Sequence, residues 1–525
     1  MGSDNTEDSP SPMVDAMLRD MLAKPVRAVW THHGLPPDDI ERIVLGNAPD
    51  PSVNSAFKLG TAAQTAIGLS ALAATHFHAL RTGVEQTVRV DPRHAVIEFN
   101  SENYYTIDQK LPRPKSDDEL TGMYEAKDGW VRLQANFPDE KRGLVELLQC
   151  EPTRASAAET LKQWGAYDFV DAVLERGLAG AALRSFSSID AHWQGLSTRN
   201  ISPVSISRIE DGPLRTFPPG KRPLEGVRVL DMTRVLAGPI AGRTLAAHGA
   251  DVLLVSSPMH PPIPEWDVET SRGKRTTLLD TNAPEDRATL QELLKDADVF
   301  LHRHRPGVLE ARGLGPKDLA KLRPGIVHAN VSAFAHMSPY WHRNAFEEEV
   351  EMVGGYAVQE AETFKEWLEK NGRANEAAGL PPWRLMPMSA LTHLAGQFLA
   401  FGITTALCKT MTEGGSWEVH VSLESVGLWL RHLGLLMAEE AHNESMPLPP
   451  RVYPLHPEVA ALSVVIERDD GDNGGAAEVD GSTMTVVRHA AELEQTPVRY
   501  GSAPMRLDAH KSRWLPRGWA VISLL

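Results

Sequence analysis

The sequence predicts an α/β protein built around a parallel sheet, with a smaller α+β region beside it. Three observations carry that expectation. Residues 224–258 read as strand, turn, helix and strand; one stretch of the chain recurs at a constant spacing; and a hairpin signal followed by helices lies between residues 122 and 183.

In the first of these, Val227, Val229 and Leu230 form a short apolar run rich in β-branched residues and closed by Asp231 and Thr233. Gly238-Pro239 breaks the chain, Ile240 to Ala247 resumes with helical spacing, and Gly249 is placed to cap that helix. Val252, Leu253, Leu254 and Val255 form the next strand. Two strands joined by a crossover helix within about 30 residues imply parallel pairing and a right-handed connection. A mononucleotide-binding crevice is therefore expected close by.

The second observation is a repeat. Residues 81–95 can be laid over residues 412–426, pairing Gly83 with Gly414, Val88 with Val419 and Val90 with Val421, at a constant offset of 331 residues. Upstream, residues 59–79 and 390–410 both read as Ala-rich amphipathic helices leading into a Gly turn and an alternating strand. Two copies of one supersecondary unit are expected. In residues 122–136 an Asp128-Gly129 pair between alternating segments predicts a hairpin, and helices are expected over 141–183.

These signals divide the chain. Residues 1–20 are acidic and Pro/Ser-rich and read as a disordered tail; residues 21–202 form a partial first unit with a small domain; and the Pro/Gly-rich stretch 203–223 reads as a linker. Residues 224–437 are the nucleotide-binding unit with its returning helices. Residues 438–525 are a C-terminal segment holding an acidic, Gly-rich disordered insert at 467–482.

At 525 residues with 42% hydrophobic content, the chain can bury more than one core. A formal net charge of -16 argues against nucleic acid as a partner, because phosphate backbones need a basic face. No run of about 18 apolar residues indicates a membrane span, and the N-terminus lacks the basic and apolar regions of a signal peptide. Only Cys150 and Cys408 are present, so a disulfide framework is not expected and a cytoplasmic location is the simplest expectation. No metal site is expected, since His302 and His304 lie two apart in a loop without further Cys or carboxylate partners.

The same residues carry a family resemblance. The run from Arg228 to Pro239, followed by Leu245-Ala-Ala-His-Gly-Ala-Asp-Val252, resembles the opening signature of the family III CoA-transferases. Further motifs follow in family order, among them Arg272-Gly-Lys-Arg275, Ala297-Asp298-Val299, Arg305-Pro-Gly-Val-Leu-Glu310, Arg323-Pro-Gly-Ile-Val-His-Ala329, Gly396 and Val419-His-Val-Ser-Leu423. The resemblance implies that family's fold, a Rossmann-like sheet domain plus a smaller α+β domain, here with a partial duplicated unit. It implies movement of CoA between small carboxylic acids, with acyl-CoA and an acid as partners and CoA as substrate rather than as a permanently bound cofactor. It also implies either a homodimer or an internally fused pseudo-dimer, because family members interlock as dimers.

In that family an Asp four residues before the Gly equivalent to Gly396 attacks the acyl-CoA and then carries CoA as a thioester. Thr392 stands in its place, and Thr61 holds the corresponding position of the first copy. A hydroxyl cannot substitute directly, because its plain ester would not conserve the energy of a thioester. Glu347, first of three glutamates after Phe346, is a replacement acid or else the start of a solvated helix. Phe346, where the family's racemases carry His, counts against racemisation. His393 is a base for Thr392, a substrate ligand, or a packed histidine.

For CoA, the resemblance points to Val235, Leu236, Ala237 and Gly238, with Gly238 permitting close backbone approach. Arg272, Lys274, Arg275, Arg303 and Arg305 are candidates for the phosphates, each equally readable as a surface charge. Three functions stay open: a CoA-transferase, a catalytically inactive acyl-CoA-binding or partner subunit lacking the carrier Asp, and a lyase or dehydratase acting on an acyl-CoA.

Overall fold

The structure, a computed structural model, describes residues 12–112, 117–199, 201–259, 264–304, 307–467, 483–499, 501–504 and 506–517. Its centre is a seven-stranded sheet whose strands lie side by side in the order Arg275–Leu278, Asp251–Ser256, Arg228–Met232, Val299–His302, Val327–Ser332, Ser416–Ser422 and Val204–Glu210. The first six run parallel and the last is antiparallel to its neighbour. The expected strand–helix–strand unit is present, with helix Ala237–Ala247 between strands in which Val229 pairs with Val252. From Arg228–Met232 the chain builds outward on one side and then returns to the other, so strand order reverses between Met232 and His302. Ligands of such sheets bind beyond the carboxyl ends at that reversal.

Residues 203–223, read as a linker, contain a strand. Val204 and Ile206 pair with Val421 and Val419, and Val204 is buried while the serines between point away. The Val-Ser-Ile-Ser alternation has the period of a half-buried strand, and the edge of the parallel sheet supplies its partner.

The hairpin forms from Gly122–Ala126 and Gly129–Leu133, paired antiparallel. Helices Pro138–Leu148, Arg154–Leu161 and Ala166–Glu175 enclose a separate core around Leu133, Leu144, Phe169 and Val173. The helical stretch ends earlier than expected. Gly177, at φ 68°, turns the chain and Gly180–Ala182 joins the hairpin as a third strand.

Helices Leu59–Thr82 and Ala390–Thr412 begin 331 residues apart, and each leads into a strand. Val88–Val90 pairs parallel with Ile43–Leu45, as Ser416–Ser422 pairs parallel with Val327–Ser332. The two helices pack side by side, with the Ser70 hydroxyl 2.9 Å from Gln397 Oε1. Ala390–Thr412 is long and apolar enough to cross a membrane, but its apolar window is wholly buried in the core. Strand Ala491–Leu493 completes a small three-stranded sheet by pairing antiparallel with Val88–Val90.

At the other end, helix Pro12–His32 begins inside the segment read as a tail. Residues 1–11, and residues 468–482 of the expected insert, lie outside the described residues.

Candidate active site

The site begins where strand Arg228–Met232 ends. Asp231 accepts hydrogen bonds from the Thr233 backbone N–H at 2.9 Å and the Thr233 hydroxyl at 2.6 Å. Its other oxygen accepts from Lys274 Nζ at 2.8 Å, and Lys274 also donates to the Pro239 carbonyl at 2.9 Å. These contacts pin both ends of a sharp turn in which Val235 and Leu236 adopt φ of 57° and 51°. For a β-branched residue that conformation costs on the order of 1–3 kcal/mol, which the pinned ends must outweigh.

Gly238 has a different role from the one expected. A Cβ there would lie 2.5 Å from Thr233 Cβ, so its missing side chain lets the helix start close over Thr233 rather than over a ligand. Val235, Leu236 and Ala237 do face a small cavity of about 60 Å³, which they share with Gln134, Arg303, Phe346, Glu347, Glu348 and Thr392.

Glu347 opens helix Glu347–Gly354 and is buried, in contrast to the solvated run that its sequence also allowed. Its two carboxylate oxygens accept from the backbone N–H groups of Leu391 and Thr392, each at 2.9 Å. The carboxylate thus caps helix Ala390–Thr412, whose own N-cap residue Ser389 makes no side-chain cap. Burial pushes the Glu347 carboxyl up to about 8, opposed by the Thr392 hydroxyl and the two backbone donors. Two residues on, Glu349 accepts from the Phe346 N–H at 2.8 Å and from Arg132 Nε at 2.9 Å. Arg132 Nη2 also lies 3.5 Å from Glu348. The hairpin that carries Arg132 is therefore clamped to the helix that carries Glu347.

Thr392 lines the cavity, while its neighbour His393 turns away. His393 Nε2 lies 3.0 Å from Glu102, and the ring stacks on Phe99 at 5.2 Å. Of the base, ligand and packed histidine that the sequence allowed, the structure has His393 packed, because adjacent helical positions face different ways and its imidazole lies against Glu102 and Phe99. Gly396, one turn along, brings the helix against Ala237–Ala247; a Cβ there would meet Ile240 at 2.6 Å and the Ala237 carbonyl at 2.8 Å.

A larger cavity of about 390 Å³ occupies the crevice at the carboxyl ends of the strands, bordered by Thr233, Arg234, Ser256, Ser257, His304 and Arg312. Three of the expected phosphate ligands are elsewhere. Arg272 is buried, ion-paired with Glu269 at 3.0 Å and donating to the Val487 carbonyl at 2.8 Å. Lys274 is enclosed with Asp231, and Arg275 holds Asp251 through contacts of 2.8 and 3.0 Å. Arg275 and Asp251 each open a strand of the parallel sheet, so that pair sits at the amino ends, away from the crevice. Arg303 follows strand Val299–His302 at its carboxyl end and sits over the Phe346 ring at 5.4 Å, in the small cavity. Arg305 lies outside the described residues.

Sequence reasoning missed Arg234 and Arg312 at the crevice, and Arg132 and Gln134 on the hairpin. The Arg-x-Gln spacing on an alternating strand was the available signal for the latter pair. The motif acid Asp298 proves structural: it is buried and held by Arg215 at 2.6 Å, Arg323 at 3.3 Å and Arg517 at 2.9 Å.

A parallel sheet with an open crevice at its strand reversal, and a buried carboxylate at a neighbouring cavity, places both where ligands of α/β sheets bind. The family model for CoA-transferase family III matches residues 224–464 of the chain. A probable fatty acyl-CoA transferase of Mycobacterium tuberculosis is 27% identical over 245 residues, covering 43% of this chain and 57% of the relative. The succinyl-CoA–D-citramalate CoA-transferase of Chloroflexus aurantiacus is 31% identical over 214 residues, covering 38% and 49%. The acetyl-CoA:oxalate CoA-transferase of Acetobacter aceti is 28% identical over 261 residues, covering 47% and 62%. The chain thus spans about half the length of the curated relatives it matches. A crystal structure of the Mycobacterium tuberculosis protein superposes with a TM-score of 0.34 at 27% identity, covering 40% of this chain and 58% of that one.

Proposed function

We propose that the protein is an acyl-CoA:carboxylate CoA-transferase in which Glu347 is the carrier acid. The observation that carries this reading is the pair of 2.9 Å hydrogen bonds by which the Glu347 carboxylate meets the N–H groups of Leu391 and Thr392. A carboxylate reached from another helix stands where the helix itself lacks one, and it borders the cavity shared with the Val235–Leu236 turn. The relatives' names, each a transferase of CoA or of acyl-CoA, support the reaction class.

In this reading the crevice takes the nucleotide end of CoA, with Arg234 and Arg312 toward its phosphates, and the thioester reaches the small cavity. The ionised Glu347 attacks the thioester carbonyl, the C–S bond breaks, and CoA leaves as thiolate from an acyl-glutamyl anhydride. The thiolate then attacks the glutamyl carbonyl and expels the first acid as its carboxylate, leaving CoA on Glu347. An incoming carboxylate repeats the two steps in reverse, so no thioester energy is lost to water. Exclusion of water by the buried setting serves the same end.

The first unit's helix Leu59–Thr82 and the hairpin bearing Arg132 and Gln134 both pack against the elements of this site. We read that arrangement as an internally fused pseudo-dimer holding one composite site, in a protein of the cytoplasm, whose two cysteines are both free.

The test is mass spectrometry of the protein after incubation with acetyl-, propionyl- and succinyl-CoA. CoA joined to Glu347 in wild type, absent in Glu347→Gln and regained in Glu347→Gln/Thr392→Asp, is expected. CoA that binds without any adduct on wild type would instead favour an acyl-CoA-binding subunit.

A further inference from the structure

We propose that Gln134, supplied by the first unit, donates its side-chain amide to the thioester oxygen while Glu347 attacks. The inference rests on the transferase reading and goes beyond it by assigning the group that receives the negative charge developing on the substrate.

Gln134 is 2% exposed and borders the same cavity as Glu347 and Thr392. Its Oε1 accepts from the Asn136 backbone N–H at 3.4 Å and faces the Thr121 hydroxyl at 3.4 Å. The oxygen is directed at a backbone donor, and Nε2 meets no hydrogen-bond partner among the described residues. An amide donor that lines a cavity without a protein partner is complemented by a ligand acceptor in that cavity.

The geometry of the strand explains how the donor is held. Gln134 directly follows strand Gly129–Leu133, which carries Arg132, and lines the cavity together with Glu347 and Glu348. Arg132 is anchored on Glu349 at 2.9 Å and near Glu348 at 3.5 Å, on the first turn of the helix that begins with Glu347. One clamp therefore fixes the distance between nucleophile and donor, although they come from residues more than two hundred positions apart.

In the step proposed, a Glu347 oxygen bonds to the thioester carbon and the carbonyl π electrons move onto oxygen. Gln134 N–H hydrogen-bonds that oxyanion without transferring its proton. The oxyanion then collapses, the C–S bond breaks, and its electron pair leaves with CoA thiolate. A preorganised donor of this kind acts on the transition state far more than on the bound substrate.

The test compares wild type with Gln134→Met, which keeps volume without the donor, and Gln134→Glu. Exchange of radiolabelled acetate, propionate and succinate into their acyl-CoAs reports turnover, and affinity for S-ethyl-CoA, a thioether with no carbonyl oxygen, reports binding alone. In Gln134→Met, kcat is expected to fall about 10²–10³-fold, the loss typical of one oxyanion donor, with affinity for S-ethyl-CoA unchanged. Turnover equal to wild type overturns the role of Gln134 alone, and so does a parallel loss of S-ethyl-CoA affinity, which would mark a packing residue. A wild type that binds S-ethyl-CoA but exchanges none of the three acids overturns the transferase reading and this inference together.

Discussion

Glu347 stands to Thr392 as Asp50 stands to Thr61. The Glu347 carboxylate accepts from the N–H groups of Leu391 and Thr392, both at 2.9 Å. Asp50 likewise accepts from the N–H groups of Gly60 at 2.9 Å and Thr61 at 3.3 Å, and from the Thr61 hydroxyl at 2.6 Å. Each long helix thus has an acid from a preceding loop or helix seated on its first turn, and burial raises both acids. Only the Glu347 pair borders the cavity shared with Val235 and Leu236.

The raised Glu347 carboxyl sets a pH dependence. Its folded value of about 8 lies above the ordinary 4.5, so the folded state holds the proton more tightly than the unfolded state between those values. The associated stability is fully present below about pH 4.5 and is lost as pH rises through about 8. Thermal midpoints recorded from pH 5 to 9 are expected to fall more steeply for wild type than for Glu347→Gln. Turnover, which needs the ionised acid, is expected to rise over the same interval with a midpoint near 8.

Glu347→Gln is expected to lower exchange activity by at least about 10³-fold, as removal of a covalent nucleophile does, while CoA affinity stays within about twofold. Thr392→Ala removes one hydroxyl hydrogen bond and is expected to cost about tenfold, since one such bond to a charged group contributes roughly 1.5 kcal/mol. Steady-state kinetics of both variants check the order of the two effects.

Lys274→Met should unfold the protein more readily without bearing directly on phosphate binding. It leaves Asp231 buried and uncompensated under the Val235–Leu236 turn, and breaking such a pair costs about 3–5 kcal/mol. Urea denaturation gives the stability change, and CoA titration of the still-folded variant gives the affinity.

Arg312→Ala addresses the crevice. Arg312 donates to the Thr281 hydroxyl at 3.2 Å on an exposed surface, leaving the rest of its guanidinium to face the cavity mouth. Acyl-CoA KM is expected to rise about fivefold at low salt and by less as ionic strength increases, with kcat unchanged.

Gly396→Ala tests the helix crossing that shapes the cavity wall. A methyl group there meets Ile240 and the Ala237 carbonyl within 3 Å, so the expected destabilisation is about 1–3 kcal/mol. Calorimetry against wild type measures it.

The parallel sheet was legible in the sequence because its signals are local. Apolar periodicity around Val229 and Val252, a Gly-Pro break and a Gly cap act within about 30 residues. The spacing of Gly83 and Gly414 likewise located the two long helices. The apposition of Glu347 and Thr392 was not legible, because the partners lie 45 residues apart and meet only through tertiary packing. Arg272, Lys274 and Arg275 misled because a basic run after a turn looks like a surface loop. Which end of the next strand they approach depends on sheet order, which motif spelling does not encode. Strand Val204–Glu210 was masked by the prolines and glycines around it.

Ala491–Leu493 closes the small sheet formed by Ile43–Leu45 and Val88–Val90. During synthesis Val90 emerges about 400 residues ahead of its partner Ala491, a delay of roughly 20–80 s at ordinary translation rates. For that time one edge of Val88–Val90 has unpaired backbone groups open to any passing strand, including that of a neighbouring nascent chain. A segment made about 400 residues later thus completes a sheet begun early, and chaperone cover for that edge is expected to matter until Ala491–Leu493 has emerged.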